Sequence, residues 1–227
     1  MYTYLLINIL SISIPLIASF DKRLEFYKKW KYLFPGIFFT LAFFIAWDVL
    51  YTHWGIWGFN SRYLTGIQVI NLPLEEWLFF ITIPYACVFT YEALNYIVKR
   101  DYLGRWQKQI SMALVMIFFV VAILHYNRLY TSITFGLTAL FITFVQFVRK
   151  SSWLGRFYFS YLFILIPFFI VNGILTGSFI DEEVVFYDDS MNLGIRIFTI
   201  PIEDSVYGLL LILMNVTFYE WFKARNY

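Results

Sequence analysis

Charged residues are scarce in this chain of 227 residues, since Asp, Glu, Lys and Arg together make up 14%. A typical soluble domain carries about 25%. Hydrophobic residues instead make up 61% of the chain, and several apolar runs approach the roughly 20 residues that cross a bilayer as a helix. The deficit of charge excludes an ordinary soluble domain and indicates several membrane-spanning helices.

Cysteine and histidine are also rare. Cys87 is the only cysteine, so an intramolecular disulfide is excluded. His53 and His125 lie far apart in the sequence without a cluster of other ligands, which argues against a zinc or haem site. The chain has no G-x-G-x-x-G motif, no Walker A motif and no aspartates at i and i+4 within a span. We therefore expect no cofactor, no metal and no nucleic-acid partner.

The apolar runs predict the fold class, an all-α polytopic transmembrane helical bundle with about seven spans. The first run lacks a basic leading region and a small-residue cleavage site, so it is interpreted as a retained span rather than a signal peptide. The predicted spans are residues 3–20, 33–51, 75–97, 109–126, 131–148, 157–177 and 201–222.

Basic residues are distributed unevenly between the two sides of this bundle. Fourteen lie in the connections after spans one, three and five and in the C-terminal tail, whereas the other side has only Arg62, Arg128 and Arg196. Because cytoplasmic loops carry the excess of Lys and Arg, this split predicts an outside N-terminus and a cytoplasmic C-terminus. The expected location is the cell membrane.

The two long connections on the outer side differ in composition. Residues 52–72 are aromatic, and they include Trp54, Trp57 and Tyr63, so we expect them to lie in the membrane interface. Residues 177–200 carry five acids and are by default a solvated loop. Either connection could instead fold back as a lid over the bundle.

An internal repeat relates the two halves of the chain at an offset of 128 residues. It divides the chain into a first three-span repeat (1–98), a linking span (99–128) and a second three-span repeat (129–227). With one linking span, both repeats enter the membrane in the same sense, so we expect a pseudo-two-fold axis along the membrane normal. The matching pairs are Tyr2-Thr3 with Tyr130-Thr131, Gly66-Ile67 with Gly194-Ile195, Pro73 and Glu75 with Pro201 and Glu203, and Tyr91-Glu92 with Tyr219-Glu220.

Each repeat opens its last span with a proline at the expected first helical position, followed closely by two adjacent acids. Acids in a first helical turn are favoured by the helix dipole, so the motif also has a purely structural explanation. Ionisable groups at the start of a membrane span are costly, however, and their recurrence in both repeats favours a functional site. The candidate catalytic residues are Glu75, Glu76, Glu203 and Asp204.

Other polar residues interrupt the apolar runs. Asp48 lies at the level of the first acid pair, and Asn172 is its counterpart in span six after a small shift of the repeat alignment. We expect both to hydrogen-bond the acids of neighbouring helices and set their protonation, although a buried Asp can also simply bond a neighbouring helix. Glu92 and Glu220 lie sixteen residues beyond the acid pairs, about 24 Å along a helix. We interpret them as structural ion pairs, with Lys99 and Arg100 near Glu92 and with Lys223 near Glu220.

Grouped carboxyl groups in an apolar cavity can carry out acid–base chemistry that water would suppress. Because burial and mutual repulsion disfavour a second charge, at least one carboxyl group keeps its proton near neutral pH. A neutral carboxylic acid beside a carboxylate can protonate one atom and remove a different proton, and aromatic faces can stabilise the cation between these steps. For a lipid-dissolved substrate this predicts proton-initiated isomerisation or hydration of an alkene.

Several segments of the chain resemble the small integral-membrane lycopene cyclases. Trp47-Asp48, residues 73–80 (PLEEWLFF) and residues 90–92 (TYE) resemble the first domain of that family. Residues 172–177, 193–196 and 201–204, with Tyr207-Gly208, resemble the second domain. The family has these domains as two subunits of a heterodimer or fused, and this sequence resembles the fused form over almost its full length.

The resemblance implies a lycopene β-cyclase, which converts the acyclic ends of lycopene into β-ionone rings and gives γ-carotene and then β-carotene. It adds Tyr207 to Asp48 and Asn172 as a supporting residue. It also implies an isomerase (intramolecular lyase) with a carotenoid substrate dissolved in membrane lipid and without an obligatory partner subunit, while an oligomer stays open. Because substrate and product are isomers, no redox cofactor is required.

Two other functions remain open at this point. A carotenoid hydratase would use the same acid chemistry, with water capturing the cation, and its hydroxylated acyclic products would differ in polarity from cyclic hydrocarbons. A small-solute transporter would also bury carboxylates between repeats, and uptake into proteoliposomes would reveal it. Against a transporter, corresponding spans lack paired Gly or Pro interruptions, since Pro84 is matched by Ile212.

Overall fold

The structure is a computed structural model that describes residues 2–225. Met1, Asn226 and Tyr227, at the outer bounds of the two predicted repeats, lie outside the described residues. The helices are α1 (Thr3–Ala18), α2 (Trp30–His53), α3 (Leu74–Ile97), α4 (Gln107–Leu124), α5 (Leu129–Thr143), α6 (Leu154–Leu175) and α7 (Ile202–Ala224). A π-helical turn, Phe144–Val148, extends α5, and short 3₁₀ segments lie at Phe26–Lys29, Ser61–Tyr63 and Gly104–Trp106.

The predicted helical bundle is confirmed, and every predicted span coincides with one of these helices. Six helical segments within residues 2–225 are long and apolar enough to cross a membrane. The remaining helix, α1, is apolar but has only 16 residues. At 1.5 Å per residue it extends about 24 Å, somewhat less than the roughly 30 Å of a bilayer core.

The packing places α3 and α7 at the centre of the bundle. These two helices contact each other, and both also contact α2 and α6, while α1 packs on α3 and α5 packs on α7. The most apolar stretch of α7 is 56% buried, whereas that of α4 is only 11% buried. The helix between the predicted repeats is therefore peripheral, although the predicted domain boundaries themselves stay a prediction.

Two equivalent hairpins lead into the central helices. In each hairpin two antiparallel strands of two residues meet at a tight turn, and the second strand ends in the proline before α3 or α7. The strands are β2 (Gln68–Val69) with β3 (Leu72–Pro73), and β5 (Arg196–Ile197) with β6 (Ile200–Pro201). Equivalent residues of the two hairpins are 128 positions apart in the sequence, which is the offset of the repeat.

The structure corrects the predicted place of the two prolines. Pro73 and Pro201 do not occupy the first helical position but precede it, with ψ angles of 149° and 138°. Their extended backbone continues the hairpin strand, so the helix begins one residue later. The acids nevertheless remain in the first helical turn.

The two long outer connections pair with each other through β1 (Trp57–Phe59) and β4 (Val185–Tyr187). Val184 and Val185 are buried, so the prediction of a solvated acidic loop is wrong for this stretch, because its apolar side chains pack onto the bundle. Trp57 and Tyr63 are likewise buried in protein rather than placed in the interface. For the exposed Trp54 the interface stays a prediction.

Glu92 and Glu220 form the predicted ion pairs at the other end of the bundle, with one change of partners. Glu92 accepts hydrogen bonds from Lys29 and from Lys223, the latter at 2.7 Å. Lys223 Nζ also lies 3.7 Å from Glu220. The predicted partners Lys99 and Arg100 are replaced because the start of α2 and the end of α7 converge on α3 here.

Glu92→Ala is expected to lower the stability of the folded protein by about 3 kcal/mol, because removing one partner of a buried ion pair leaves uncompensated charge. Thermal unfolding of the purified protein in detergent measures this effect. Glu25→Ala is the control, because its 2.7 Å pair with Lys28 is exposed and should contribute little. Equal melting temperatures for the two variants would contradict a structural role of Glu92.

Candidate active site

Two carboxyl groups from different helices meet at the opposite end of the bundle. Glu76 lies in the first turn of α3, Asp48 lies in the last third of α2, and the two carboxyl groups are close enough to interact. Tyr4 donates a hydrogen bond to Glu76 Oε2, and Tyr207 donates to Asp48 Oδ1 at 2.7 Å. Both acids are buried, with 2% of Asp48 and 6% of Glu76 exposed.

The contact within this Asp48–Glu76 pair is unfavourable when both groups are ionised, because ionised carboxylates have only acceptor atoms and repel each other. A single proton shared between two neighbouring carboxyl groups removes this repulsion. The pair is therefore suited to hold one transferable proton inside the protein.

Asp204, in the first turn of α7, has a different set of partners. Tyr130 donates to Oδ1 at 2.6 Å, while Tyr187 and Asn172 donate to Oδ2 at 2.9 Å and 3.2 Å. Three neutral donors satisfy an ionised carboxylate without any shared proton. The second cluster is therefore suited to accept a proton or to stabilise a positive charge.

These contacts place the three predicted supporting residues beside the acids. Asn172 donates a hydrogen bond to Asp204, as predicted, and Asp48 lies beside Glu76. Tyr207 bonds Asp48, so the second repeat supplies a side chain to the acid pair of the first. The two repeats therefore build one combined site.

Glu75 and Glu203 take a different position from the acids that follow them. Glu75 Oε1 accepts the Thr65 N–H at 2.6 Å, and Glu203 Oε1 accepts the Leu193 N–H at 2.8 Å. Both side chains are fully buried, and each hydrogen bond fixes the backbone that precedes the hairpin. The two hydrogen bonds are equivalent in the repeat, because their residues differ by 128 positions. Their catalytic role stays a prediction, whereas the contacts give them a structural one.

A cavity of about 440 Å³ joins the two acid clusters. Asp48, Glu76 and Asp204 all line it, whereas Glu75 and Glu203 are not among its lining residues within the described chain. Along α3 the lining continues from Glu76 to Thr90, fourteen residues and therefore about 21 Å. The lining is predominantly apolar, so the two clusters face one shared hydrophobic chamber.

An aromatic cage connects the Asp48–Glu76 pair with Asp204, because its tyrosines donate hydrogen bonds to Asp48 and to Asp204. It consists of Trp57, Tyr130, Tyr187 and Tyr207, all of which line the cavity. The ring centres of Trp57 and Tyr130 lie 5.2 Å apart, those of Tyr130 and Tyr187 5.8 Å, and those of Trp57 and Tyr207 6.1 Å. Aromatic faces attract cations, so the cage can stabilise positive charge that develops between the acids.

Tyr187 lies in β4, which forms a two-stranded ribbon with β1, and not in a spanning helix. Burial, and after it the nearby Asp204 carboxylate, raise the pKa of the Tyr187 hydroxyl well above its usual range. The hydroxyl therefore stays neutral and keeps its proton for the hydrogen bond to Asp204. The ribbon thus supplies a donor directly to the site.

Four residues of this site were not predicted from the sequence, namely Tyr4, Trp57, Tyr130 and Tyr187. The repeat gave a partial signal, because Tyr130 lies in one of its matching pairs. Its match by offset is Tyr2, but Tyr4 makes the corresponding contact to the acid. Trp57 and Tyr187 lie in the long connections, where no local pattern marks them.

Comparison with known proteins adds an independent finding. The family model described as "Lycopene cyclase" matches residues 1–94 and 127–222. The two matched segments omit most of the linking region with α4 and include both acid clusters. No curated protein and no solved structure matches the chain. Since the match covers most of the sequence in two segments, the chain belongs to the lycopene cyclase family and carries both of its domains in one polypeptide.

Proposed function

We propose that this protein is a lycopene β-cyclase, an isomerase that closes β-ionone rings at the acyclic ends of lycopene by proton-initiated cyclisation. One observation carries the proposal: two neighbouring buried carboxyl groups and a third, separate one line the same apolar cavity together with an aromatic cage. This arrangement offers an acid, a cation-stabilising surface and a base to a hydrocarbon that has no polar group of its own.

The Asp48–Glu76 pair donates the first proton in this mechanism. The proton is transferred to C2 of the terminal C1=C2 double bond, which leaves a tertiary cation at C1. Proton transfer from a positioned carboxylic acid contributes about 10²–10⁴-fold to a rate. The pair becomes doubly ionised beside the new cation, and this attraction is strong because the site excludes water.

Ring closure follows within the aromatic cage. The C5=C6 double bond attacks C1, so that the C1–C6 bond forms and the positive charge moves to C5. The faces of Trp57, Tyr130, Tyr187 and Tyr207 stabilise the charge while it moves. The apolar lining also keeps water from the cation, which supports cyclisation over the hydration that a carotenoid hydratase would perform.

Asp204 completes the reaction as the base. It removes the proton from C6, which restores a C5=C6 double bond and gives the β-ring, whereas loss from C4 would give an ε-ring. Three hydrogen bonds hold the carboxylate in place for this transfer. The cycle closes when Asp204 releases its proton and the Asp48–Glu76 pair gains another. The reaction involves no net oxidation or reduction, so we still expect no redox cofactor.

The proposed orientation puts both acid clusters near the outer face of the cell membrane. The uneven distribution of basic residues supports this, since Lys29 and Lys223 lie at the end of the bundle opposite the acid clusters. Reporter domains fused to each terminus of the full chain measure it. A cytoplasmic signal at the N-terminus would overturn the orientation without affecting the chemistry.

Expression of the chain in cells that accumulate lycopene is expected to convert that pigment into γ-carotene and β-carotene. Chromatography of the extracted pigments with mass detection measures the conversion, because all three hydrocarbons have the same mass and differ in retention. Polar hydroxylated acyclic products would favour a hydratase instead. Unchanged lycopene, with the protein present in the membrane fraction, would overturn the proposed function.

A further inference from the structure

The wall of the cavity is also part of the outer surface of the bundle. Leu10 and Ile14 of α1 both line the cavity, yet 63% and 77% of their surfaces are exposed. A residue can satisfy both conditions only at the rim of an opening. The cavity therefore opens through the side of the bundle along α1.

The other side of this opening is α6. Pro167, Phe168 and Val171 line the cavity from α6. Helix α1 packs closely along α3 but makes few contacts with α6, so the gap lies between α1 and α6. Ile166 and Ile170 on α6 are exposed beside it, which makes the outer surface around the gap apolar.

The depth of the gap places it at the level of lipid tails. Tyr4, which bonds the Asp48–Glu76 pair, lies six residues before Leu10 and ten before Ile14. These spacings correspond to about 9 Å and 15 Å along α1. Since a bilayer core is about 30 Å thick, the rim opens toward its middle rather than toward water.

The end of the cavity that holds the acids is covered. The ribbon of β1 and β4 lies over it, and its lining residues Trp57 and Val185 are only 6% and 8% exposed. Glu76 and Asp204 beneath the ribbon are 6% and 4% exposed. The cavity is therefore closed at the end that holds the acids and open at the rim between α1 and α6.

Both rim helices carry a proline that lines the cavity, Pro15 in α1 and Pro167 in α6. A proline inside a helix removes one backbone hydrogen bond and favours a bend. Each of the two helices beside the gap can therefore bend near its proline, and this bending lowers the free energy needed to widen the gap.

We propose that the carotenoid enters end-first from the bilayer, through the gap between α1 and α6, so that one ring is closed in each binding event. The inference rests on the proposed function and adds the route by which the substrate enters and the order in which its two rings are closed. Both acid clusters lie at the same blind end of one cavity, so they act on a single end of the substrate. The rest of the substrate extends through the gap into lipid, and the monocyclic product must leave before its other end can enter.

Ile14→Trp tests the route, because a larger side chain at the rim narrows the gap without touching the acids. With purified protein in lipid vesicles, kcat/KM for lycopene should fall about tenfold, because this ratio reports how fast the protein captures its substrate. Ile17→Trp is the matched control, since Ile17 is also on α1 and 74% exposed but does not line the cavity. Equal kcat/KM values for the two variants would overturn the route.

Binding without turnover provides a readout that does not depend on cyclisation. Lycopene is achiral in solution and acquires circular dichroism when held in a chiral cavity. In a Glu76→Gln background this signal should develop more slowly with Ile14→Trp than with Ile17→Trp. If the unsubstituted protein forms no cyclic pigment, the proposed function fails, whereas equal binding rates in the two variants overturn the route alone.

A chase experiment tests the order. Isotope-labelled lycopene is supplied first, and a large excess of unlabelled lycopene is added once the first rings have formed. One ring per binding event predicts that the label remains in the monocyclic product. Continued transfer of label into the bicyclic product at the rate seen without the chase would overturn the end-first order.

Discussion

Glu76→Gln is expected to lower the rate of lycopene cyclisation by about 10³-fold, in the middle of the range for losing a positioned general acid. The substitution keeps the shape of the side chain and an acceptor for the Tyr4 hydroxyl, but it removes one of the two carboxyl groups that share the proton. An amide cannot donate a proton to an alkene. Pigment analysis in lycopene-accumulating cells, followed by rates with purified protein, measures the loss.

Glu75→Gln is the matched control for this prediction. It makes the same chemical change one residue earlier in the same helix, at a fully buried carboxyl group that does not line the cavity. Because Glu75 holds the Thr65 N–H, this variant should melt at a lower temperature but cyclise lycopene within a fewfold of the normal rate. The assignment fails if Glu75→Gln loses as much activity as Glu76→Gln while still folded, or if Glu76→Gln still forms β-carotene normally.

Asp204→Asn is expected to slow formation of β-rings by about 10²-fold or more, since it removes the base that takes the C6 proton. The proton-donating pair remains intact, so the cation can still form and should then lose a different proton or react with water. The expected result is therefore a fall in β-carotene together with a larger fraction of ε-ring or hydroxylated products. Chromatography with mass detection resolves these products.

Glu203→Gln is the matched control for Asp204→Asn, one residue earlier in α7. Glu203 accepts hydrogen bonds from Thr131 and from the Leu193 backbone rather than from cavity-lining side chains. This variant should change stability but leave the ratio of products unchanged. A normal product ratio and rate in Asp204→Asn would show that another group removes the C6 proton.

The separation of adjacent acids shows where prediction from the sequence ends. The motif Glu75-Glu76 was visible, as was its recurrence as Glu203-Asp204. Neighbouring residues on a helix point about 100° apart, so only one member of each pair can face a given cavity. Which member faces it depends on how α3 and α7 pack against other helices, and hydropathy carries no information on that rotation.

The spans themselves were predictable because a bilayer imposes a length and an apolar composition on each helix. The cage residues Trp57 and Tyr187 were not, because they reach the site through the pairing of β1 with β4 across more than a hundred residues. Strands of three residues in long loops leave no periodic pattern in the sequence. The lid over the acids is thus a product of tertiary structure.

The two halves of the site also differ in a way that only the contacts reveal. In the first cluster the partner of the acid is another acid, Asp48, and in the second it is an amide, Asn172. An acid partner can share a proton with its neighbour, whereas an amide donates its own N–H and has no proton to transfer. The two repeats therefore build similar acid clusters. The difference between Asp48 in the first and Asn172 in the second gives one cluster the role of the acid and the other the role of the base.

Ring closure in D₂O tests directly whether an exchangeable proton starts the reaction. The purified protein is equilibrated in D₂O within lipid vesicles and mixed with excess lycopene, and the reaction is stopped while the product is still mainly monocyclic. Because carboxyl protons exchange with solvent, we expect a new ring with one deuterium at C2, detected by mass spectrometry and NMR. A cyclic product that carries no deuterium at C2 would contradict proton-initiated cyclisation.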